Sequence, residues 1–317
     1  MENETDLWNK SHAGHFEEIV LSSIGLIFSP LVASINILAF RAVLKTKEYS
    51  KHFSTILAGY LLCRAFICVM YCLISLLTMI FIYYPHWSFM PLWTCHVIID
   101  PYLFAECYNT YCMLVISIER LYSIVRPLKF KLLTIKSALN LHIILCALNF
   151  ILTTGFSYIG VQINQMVTCL RPGRHPIPLW WVTFQLTVDF GVIFSSLIFY
   201  FSSCLILKRK SRRVGQILMV TVVGDGNIQT INQTINNKYD LSLKKIMSIV
   251  SFIIFSNSVA VVYALLMTTI KDPLIGERMS KYSTLVYLID KLIEPVYMIF
   301  TVDWIKIYVK TYFVKNV

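Results

Sequence analysis

Seven long apolar stretches follow one another along the 317-residue chain and limit what it can fold into. They cover residues 19–44, 53–83, 92–125, 136–160, 179–207, 243–270 and 283–302. A helix needs about 20 apolar residues to cross the hydrocarbon core of a bilayer, and each stretch is long enough. Apolar residues run continuously instead of alternating as in a membrane β-barrel, which favours helices. We therefore predict an all-α membrane protein whose seven-transmembrane helix bundle covers residues 19–302.

The composition excludes an ordinary soluble domain. Hydrophobic residues make up 57% of the chain and charged residues only 14%, whereas a soluble domain is about a quarter charged. The connections between the apolar stretches are also too short for a second globular domain. A membrane protein is the class that fits these values.

The formal charge of +11 indicates how the bundle is oriented. Nineteen Lys and Arg residues follow stretches one, three, five and seven, against six on the opposite side. Because cytosolic loops are enriched in these residues, the N-terminus is predicted outside and the C-terminus in the cytosol. The charge recurs at membrane edges and forms no single patch, so nucleic acid is not an expected partner.

The two ends of the chain fit this orientation. Residues 1–18 are predicted to form an extracellular N-terminus with glycosylation sequons at Asn3 and Asn9. Residues 303–317 interleave aromatic side chains with two lysines four residues apart. That pattern predicts a short cytosolic amphipathic helix and tail lying against membrane lipid.

Two of the nine cysteines, Cys95 and Cys169, fall on the predicted outside. This is the oxidising side, where a disulfide can persist. The other seven lie within apolar stretches, where small polarizable side chains are common core residues. We expect a Cys95–Cys169 disulfide that fixes the connection before the fifth stretch to the top of the third.

The third stretch carries Cys95 at its outer end and Glu119-Arg120-Leu121-Tyr122 at its inner end. The 25 residues from Cys95 to Arg120 span roughly 37 Å at about 1.5 Å per residue, enough to cross a bilayer. The acid and the arginine have two interpretations. They are either an ordinary interfacial ion pair worth about 0–1 kcal/mol, or a device that holds and then releases a multi-donor guanidinium.

These residues carry a family resemblance. Cys95, the block from Ser117 to Ser123 and the following Arg126-Pro127-Leu128-Lys129-Phe130 resemble rhodopsin-like G-protein-coupled receptors. The pattern is most similar to the divergent chemosensory serpentine receptors of nematodes. Asn36 and Pro295 stand where the family has its first-span asparagine and last-span proline.

The resemblance implies a chemosensory receptor in the plasma membrane, which senses an extracellular small molecule and signals through a heterotrimeric G protein. The residues that it assigns to G-protein coupling are Glu119, Arg120, Leu121, Tyr122 and Pro127. The residues that it assigns to the conformational change are Asn36, Glu294, Pro295 and Tyr297.

Several positions depart from the family pattern. Leu61 stands where the family has a sodium-binding aspartate, and the sixth stretch has neither the Trp nor the Pro of the toggle motif. Lys244-Lys245 replaces the acid at the base of the sixth stretch, and Glu294 replaces an asparagine in the last. These departures argue against sodium regulation and the usual toggle.

Six ionisable residues fall at membrane depth, where each is costly unless paired or hydrated: Arg64, Glu106, Asp189, Asp290, Lys291 and Glu294. Glu106 lies 11 residues beyond Cys95, at the depth that holds the ligand in the related receptors. Arg64 and Glu106 are therefore predicted either to contact a ligand or to pair with each other.

The last stretch contributes three of these ionisable residues. Asp290, Lys291 and Glu294 share a helix face, so we expect a local structural or conformational network. Lys291 and Asp189 are further candidates for ligand binding. Retinal attachment is not expected, because Leu288 occupies the register of the opsin lysine.

Two tryptophans close after Cys169 complete the candidate site. Trp180 and Trp181 either belong to an interfacial aromatic belt or line a ligand vestibule. No histidine pair has ligand spacing, and no phosphate loop or catalytic triad pattern occurs. We therefore expect no metal, no cofactor and no enzymatic activity.

Two other functions remain open at this point. A small-molecule transporter is disfavoured by the odd number of stretches and by the lack of two similar halves. A ligand-gated channel of the seven-helix insect type would need its N-terminus inside, contrary to the charge distribution.

Overall fold

The computed structural model describes residues 4–45, 50–155, 164–169 and 179–221, and then 248, 250–255, 258, 262, 286, 288–300 and 307. Side chains are described over 16–45, 50–153, 164–169, 183–209 and at the later positions. The described chain is almost entirely helical.

Six helices and one small sheet form the part of the structure up to residue 221. The helices are α1 (Glu4–Lys45), α2 (Lys51–Tyr83), α3 (Leu92–Val125), α4 (Pro127–Lys131), α5 (Ile135–Phe150) and α6 (Leu179–Thr221). A 3-10 turn covers Pro85–Ser88, and a π-helical turn, Ile151–Gly155, follows α5. The strands are β1 (Phe89–Pro91) and β2 (Met166–Thr168). Residues 250–255 and 288–300 are also helical.

Four helical segments are long and apolar enough to cross a membrane. They are Phe16–Lys45, Lys51–Tyr83, Ile135–Thr153 and Thr183–Arg209. This confirms the predicted all-α membrane protein. Helix α3 has the predicted bounds and 34 residues, about 51 Å, which is long enough to cross a membrane, but it is not one of these four apolar segments. The predicted sixth and seventh stretches lie only partly within the described residues.

Two helix ends differ from the apolar stretches. Helix α1 begins at Glu4, so most of the segment 1–18 is helical, and Asn9 lies within the helix. Helix α6 continues to Thr221, well past residue 207. The reason is that apolar runs mark the part of a helix inside the bilayer, whereas Lys, Arg and Glu extend helices into water. Asn3 lies outside the described residues, as does the segment 303–317 except for Ile307.

Helix α2 shows how the bundle divides its faces. One face is fully enclosed and includes Tyr60, Leu61 and Arg64. The opposite face exposes apolar side chains at helical spacing, namely Leu62, Phe66, Val69, Leu73 and Leu76. The helix thus turns apolar side chains outward and keeps the guanidinium inside the bundle, which is the arrangement that a hydrocarbon solvent favours. Helix α2 packs against α1, α3 and α5, and α3 packs against α2, α5 and α6.

A small two-stranded sheet closes the end of the bundle that carries Cys95. Strands β1 and β2 pair antiparallel, with Met90 opposite Val167. The Cys169 N–H donates to the Ser88 carbonyl oxygen at 2.8 Å. The Cys95–Cys169 disulfide is present, which confirms the predicted bridge. It fixes the two-stranded sheet to the start of α3.

Helices α2 and α5 approach closely at a glycine. A Cβ atom added at Gly59 would lie 2.5 Å from Cε1 of His142. The His142 ring is held there by Tyr108, whose hydroxyl lies 2.5 Å from Nδ1. Only glycine leaves room for this imidazole between the two helices.

We predict that Gly59→Ala destabilises the protein by about 1–3 kcal/mol, because the new methyl group must displace the His142 ring. The measurement is thermal unfolding of the purified protein. Gly191→Ala is the matched control, since nothing lies within 4 Å of a Cβ there. The substitution should cost clearly less in a His142→Ala background. An equal cost in both backgrounds would contradict the steric explanation.

Candidate functional site

A group of buried charges lies near the middle of the described bundle. Arg64 lies about 20 Å from the first residue of α2, and Glu106 lies about 20 Å from the first residue of α3. The two helices run antiparallel. The helices meet there, because the Cys63 thiol donates to the Ala105 carbonyl oxygen at 3.2 Å. Both ionisable residues therefore lie near the middle of their helices.

Arg64 binds the last helix through several contacts. Its Nη1 lies 2.9 Å from Glu294 Oε2 and donates to the Tyr60 hydroxyl at 2.7 Å. Its Nη2 donates to the Asp290 carbonyl oxygen at 2.6 Å and lies 3.4 Å from Oδ2. Tyr60 in turn donates to Glu294 Oε2 at 2.6 Å. Arg64, Tyr60 and Glu294 have at most 1% of their surface exposed, so this guanidinium is neutralised entirely by protein groups.

Lys291 supplies the second buried cation. Its Nζ donates to Glu106 Oε2 at 2.9 Å and to Asp290 Oδ2 at 3.0 Å. The suggested direct pair between Arg64 and Glu106 is therefore wrong, because Lys291 takes the Glu106 carboxylate. The contact of the buried cations with Glu106 on α3 is thus made by the Lys291 ammonium. We refer to Arg64, Glu106, Asp290, Lys291, Glu294 and Tyr60 as the buried charge network.

The buried charge network extends the predicted contacts of the last helix to two neighbouring helices. Asp290 and Glu294 are joined through Arg64 of α2, and Lys291 is joined to α3. A charge at this depth is tolerated only when it is paired, and removing one partner of a buried pair costs about 3–5 kcal/mol. The network therefore fixes how α2, α3 and the last helix lie together.

Pro295 frees a carbonyl group that α1 then binds. A proline has no N–H, so the Lys291 carbonyl four residues earlier loses its helical partner. The Asn36 side-chain amide donates to that carbonyl oxygen at 3.1 Å, and also to Val32 at 2.9 Å. Asn36 is completely buried. Two of the residues that the family resemblance assigns to the conformational change, Asn36 and Pro295, thus act on the same peptide group.

The acid–arginine motif lies near the C-terminal end of α3, and its closest contacts are with α2 and not between the acid and the arginine. Glu119 and Arg120 are only loosely paired, at 4.0 Å. The close partner of Glu119 is His52, whose Nδ1 lies 2.8 Å from Oε1. The Arg120 guanidinium lies over the Phe53 ring, 3.1 Å from its centroid. We refer to these four residues as the α2–α3 clamp.

The remaining predicted coupling residues surround the α2–α3 clamp. The Phe130 ring meets the edge of His52 at 6.4 Å and that of Tyr122 at 6.5 Å between centroids. Leu121 is half-buried, and Pro127 is exposed at the start of α4. The motif and the loop after it therefore form one surface, which holds Arg120 inward against α2.

Tyr297 connects the last helix to residues 250–255. Its ring stacks on Phe252 with centroids 4.3 Å apart, and its hydroxyl lies 2.5 Å from the Ser248 hydroxyl. Pro295 and the buried charge network lie directly before Tyr297 on the same helix. A change at the network can therefore reach this contact through a single helical turn.

Two further sets of predicted residues have different outcomes. Asp189 faces α3 but stays outside the buried charge network, and it accepts from Gln185 Nε2 at 3.2 Å. Trp180 and Trp181 lie in the first turn of α6, but their side chains are outside the described residues. In the part of the chain that the structure describes, no group of metal-ligating side chains comes together.

Sequence reasoning missed several residues of the site. Tyr60 and Arg64 are four residues apart on α2, a helical spacing that marks a shared face. His52 and Phe53 gave no signal in the sequence, because their partners are about 67 residues away. That separation joins different helices, and a helical pattern does not identify partners across helices.

No model of a known protein family matches the sequence, and no curated protein matches it significantly. The function therefore has to be inferred from the residues and their contacts.

We predict that Asn36→Leu costs about 1–3 kcal/mol of folding free energy, because it leaves the buried Lys291 carbonyl without a partner. Pro295→Ala supplies the missing N–H, so Asn36→Leu should cost markedly less in that background. Thermal unfolding of the four proteins gives the coupling. Ser34→Ala is the control, since its side chain bonds a carbonyl on the exposed side of α1. Equal costs of Asn36→Leu in both backgrounds would contradict the assignment.

Proposed function

We propose that the protein is a G-protein-coupled receptor of the chemosensory kind. It would be a seven-transmembrane helix bundle in the plasma membrane, with its N-terminus outside and its C-terminus in the cytosol. It would sense an extracellular small molecule and signal through a heterotrimeric G protein. The observation that supports this most is α3, which has a disulfide at one end and a buried arginine motif at the other.

The α2–α3 clamp supports an inactive arrangement in this proposal. With lysines at the base of the sixth stretch, no acid there is available to hold Arg120. His52 and Phe53, consecutive on α2, hold Glu119 and Arg120 instead. Activation would separate α2 from α3 at this end and expose the guanidinium to the G protein.

The buried charge network gives the proposal a route from ligand to G protein. A ligand contacting Glu106 would compete with Lys291 and alter the contacts of the last helix with α1 and α2. Tyr297 would transmit that change to residues 250–255. A ligand acts in this way only by binding one arrangement more tightly than the other, which is a population shift.

A transporter is the second candidate, because buried ionisable residues at membrane depth also mark ion and proton pathways. The network contains three carboxylates and two cations within one contact group. A transporter or ligand-gated channel would show ligand-dependent flux or current in cells that give no G-protein signal.

We predict that Arg120→Ala abolishes G-protein recruitment, because the guanidinium fork is the group that meets the G protein. Recruitment is measured in cells with matched surface levels, both basally and with mixtures of small molecules. Arg126→Ala is the control, since Arg126 is an exposed arginine one and a half turns further along. Normal recruitment by the Arg120→Ala protein would overturn the proposal.

A further inference from the structure

A second polar group lies beside the buried charge network, between α3 and α6. Gln185 and Asp189 are one turn apart on α6, and Gln185 Nε2 donates to both Asp189 Oδ1 and the Cys107 sulfur. Cys107 directly follows Glu106 on α3, and Tyr111 lies one turn beyond it. We refer to Glu106, Tyr111, Gln185 and Asp189 as the acceptor cluster.

The acceptor cluster carries an excess of negative charge. On the side of the buried charge network that faces the acceptor cluster, one cation, Lys291, is shared between two carboxylates, those of Glu106 and Asp290. Asp189 adds another, and it interacts electrostatically with Glu106. Among the described residues, its only hydrogen-bond partner is the neutral Gln185 amide. Uncompensated carboxylates at membrane depth are costly, so a group that compensates them is expected there.

Two oxygen atoms of the acceptor cluster have no hydrogen bond within the described residues. They are Glu106 Oε1 and Gln185 Oε1, and both are buried. Gln185 and Tyr111 are themselves 7% and 8% exposed. Buried polar atoms in native proteins are normally satisfied. The carboxylate and amide oxygens only accept hydrogen bonds, so the missing group must donate several.

We propose that the acceptor cluster binds a small organic cation, a molecule bearing an ammonium or guanidinium group. Such a group supplies both the positive charge and the several donors that Glu106, Gln185 and Asp189 lack. A metal ion fits less well, because no set of three metal-ligating side chains converges in the described part of the chain. The cation is the signal only if the proposed receptor function holds, but its binding does not depend on that function.

The ligand position also explains how binding would change the contacts of the buried charge network. Glu106 accepts a hydrogen bond from Lys291 at Oε2, whereas its Oε1 has no hydrogen bond within the described residues. A cation at Oε1 would weaken the hold of Glu106 on Lys291 by repulsion and competition. The last helix would then shift relative to α3, while Arg64 keeps its own partners.

Binding is tested by thermal unfolding of the full-length protein in lipid nanodiscs, without any G protein. The probes are n-butylammonium, benzylammonium and n-butylguanidinium at millimolar concentration, compared with n-butanol, butyrate and sodium chloride of equal ionic strength. At least one cationic probe should raise the Tm by roughly 2–4 °C, as expected at about ten times its Kd. Neutral and anionic isosteres should not.

Variants locate the effect. Asp189→Asn and Glu106→Gln should each remove most of the cation-dependent shift in Tm. Asp100→Asn is the matched control, because Asp100 is an acid on α3 that is already hydrogen-bonded to His96 at 2.9 Å. Should Asp189→Asn not fold, Asp189→Glu keeps the charge and should retain a reduced shift.

Several outcomes would overturn the proposal. They are the absence of a shift with every cationic probe, an equal shift with n-butanol, an equal shift with sodium chloride, and a full shift in both Asp189→Asn and Glu106→Gln. The last of these would indicate cation binding elsewhere. A specific shift together with normal G-protein recruitment by Arg120→Ala would instead keep the cation site and remove the receptor function.

Discussion

Arg64 carries a positive charge in the middle of the bundle, and protein groups alone neutralise it. Glu294, Tyr60 and Asp290 surround its guanidinium, and Lys291 continues the same contacts to Glu106 on α3. Because unpaired charges at this depth are strongly unfavourable, α2, α3 and the last helix can pack in few other ways. The apolar residues make the chain a membrane protein, while the charges determine which helices meet.

The two ends of α3 are fixed by different means, and this supports the proposed receptor. A covalent bond and a small two-stranded sheet hold the Cys95 end and keep it rigid. Noncovalent contacts to His52 and Phe53 hold the Arg120 end. Such contacts can be broken by a ligand, whereas the disulfide cannot. Movement is therefore expected at the Arg120 end.

The sequence predicted the extent of α2 and α3 closely, as well as the disulfide. These predictions depend on which residues face lipid and which face the outside. The hydrophobicity and the cysteine positions of a single sequence indicate both. Partners across helices were not predictable, since helical spacing gives a face and not a neighbour. For that reason the Arg64–Glu106 pair was wrong, and His52 was missed. The ends of α1 and α6 were also misplaced, because helices continue into water after the apolar residues stop.

The most direct measurement is a double-mutant cycle on Arg64 and Glu294, followed by thermal unfolding and surface expression of the full-length protein. Arg64→Met alone should cost about 3–5 kcal/mol, because it leaves two carboxylates buried with one cation fewer. In a Glu294→Gln background, the same change should cost much less, since the charge to be compensated is already reduced. Equal costs of Arg64→Met in both backgrounds would show that the buried charge network does not hold these helices together.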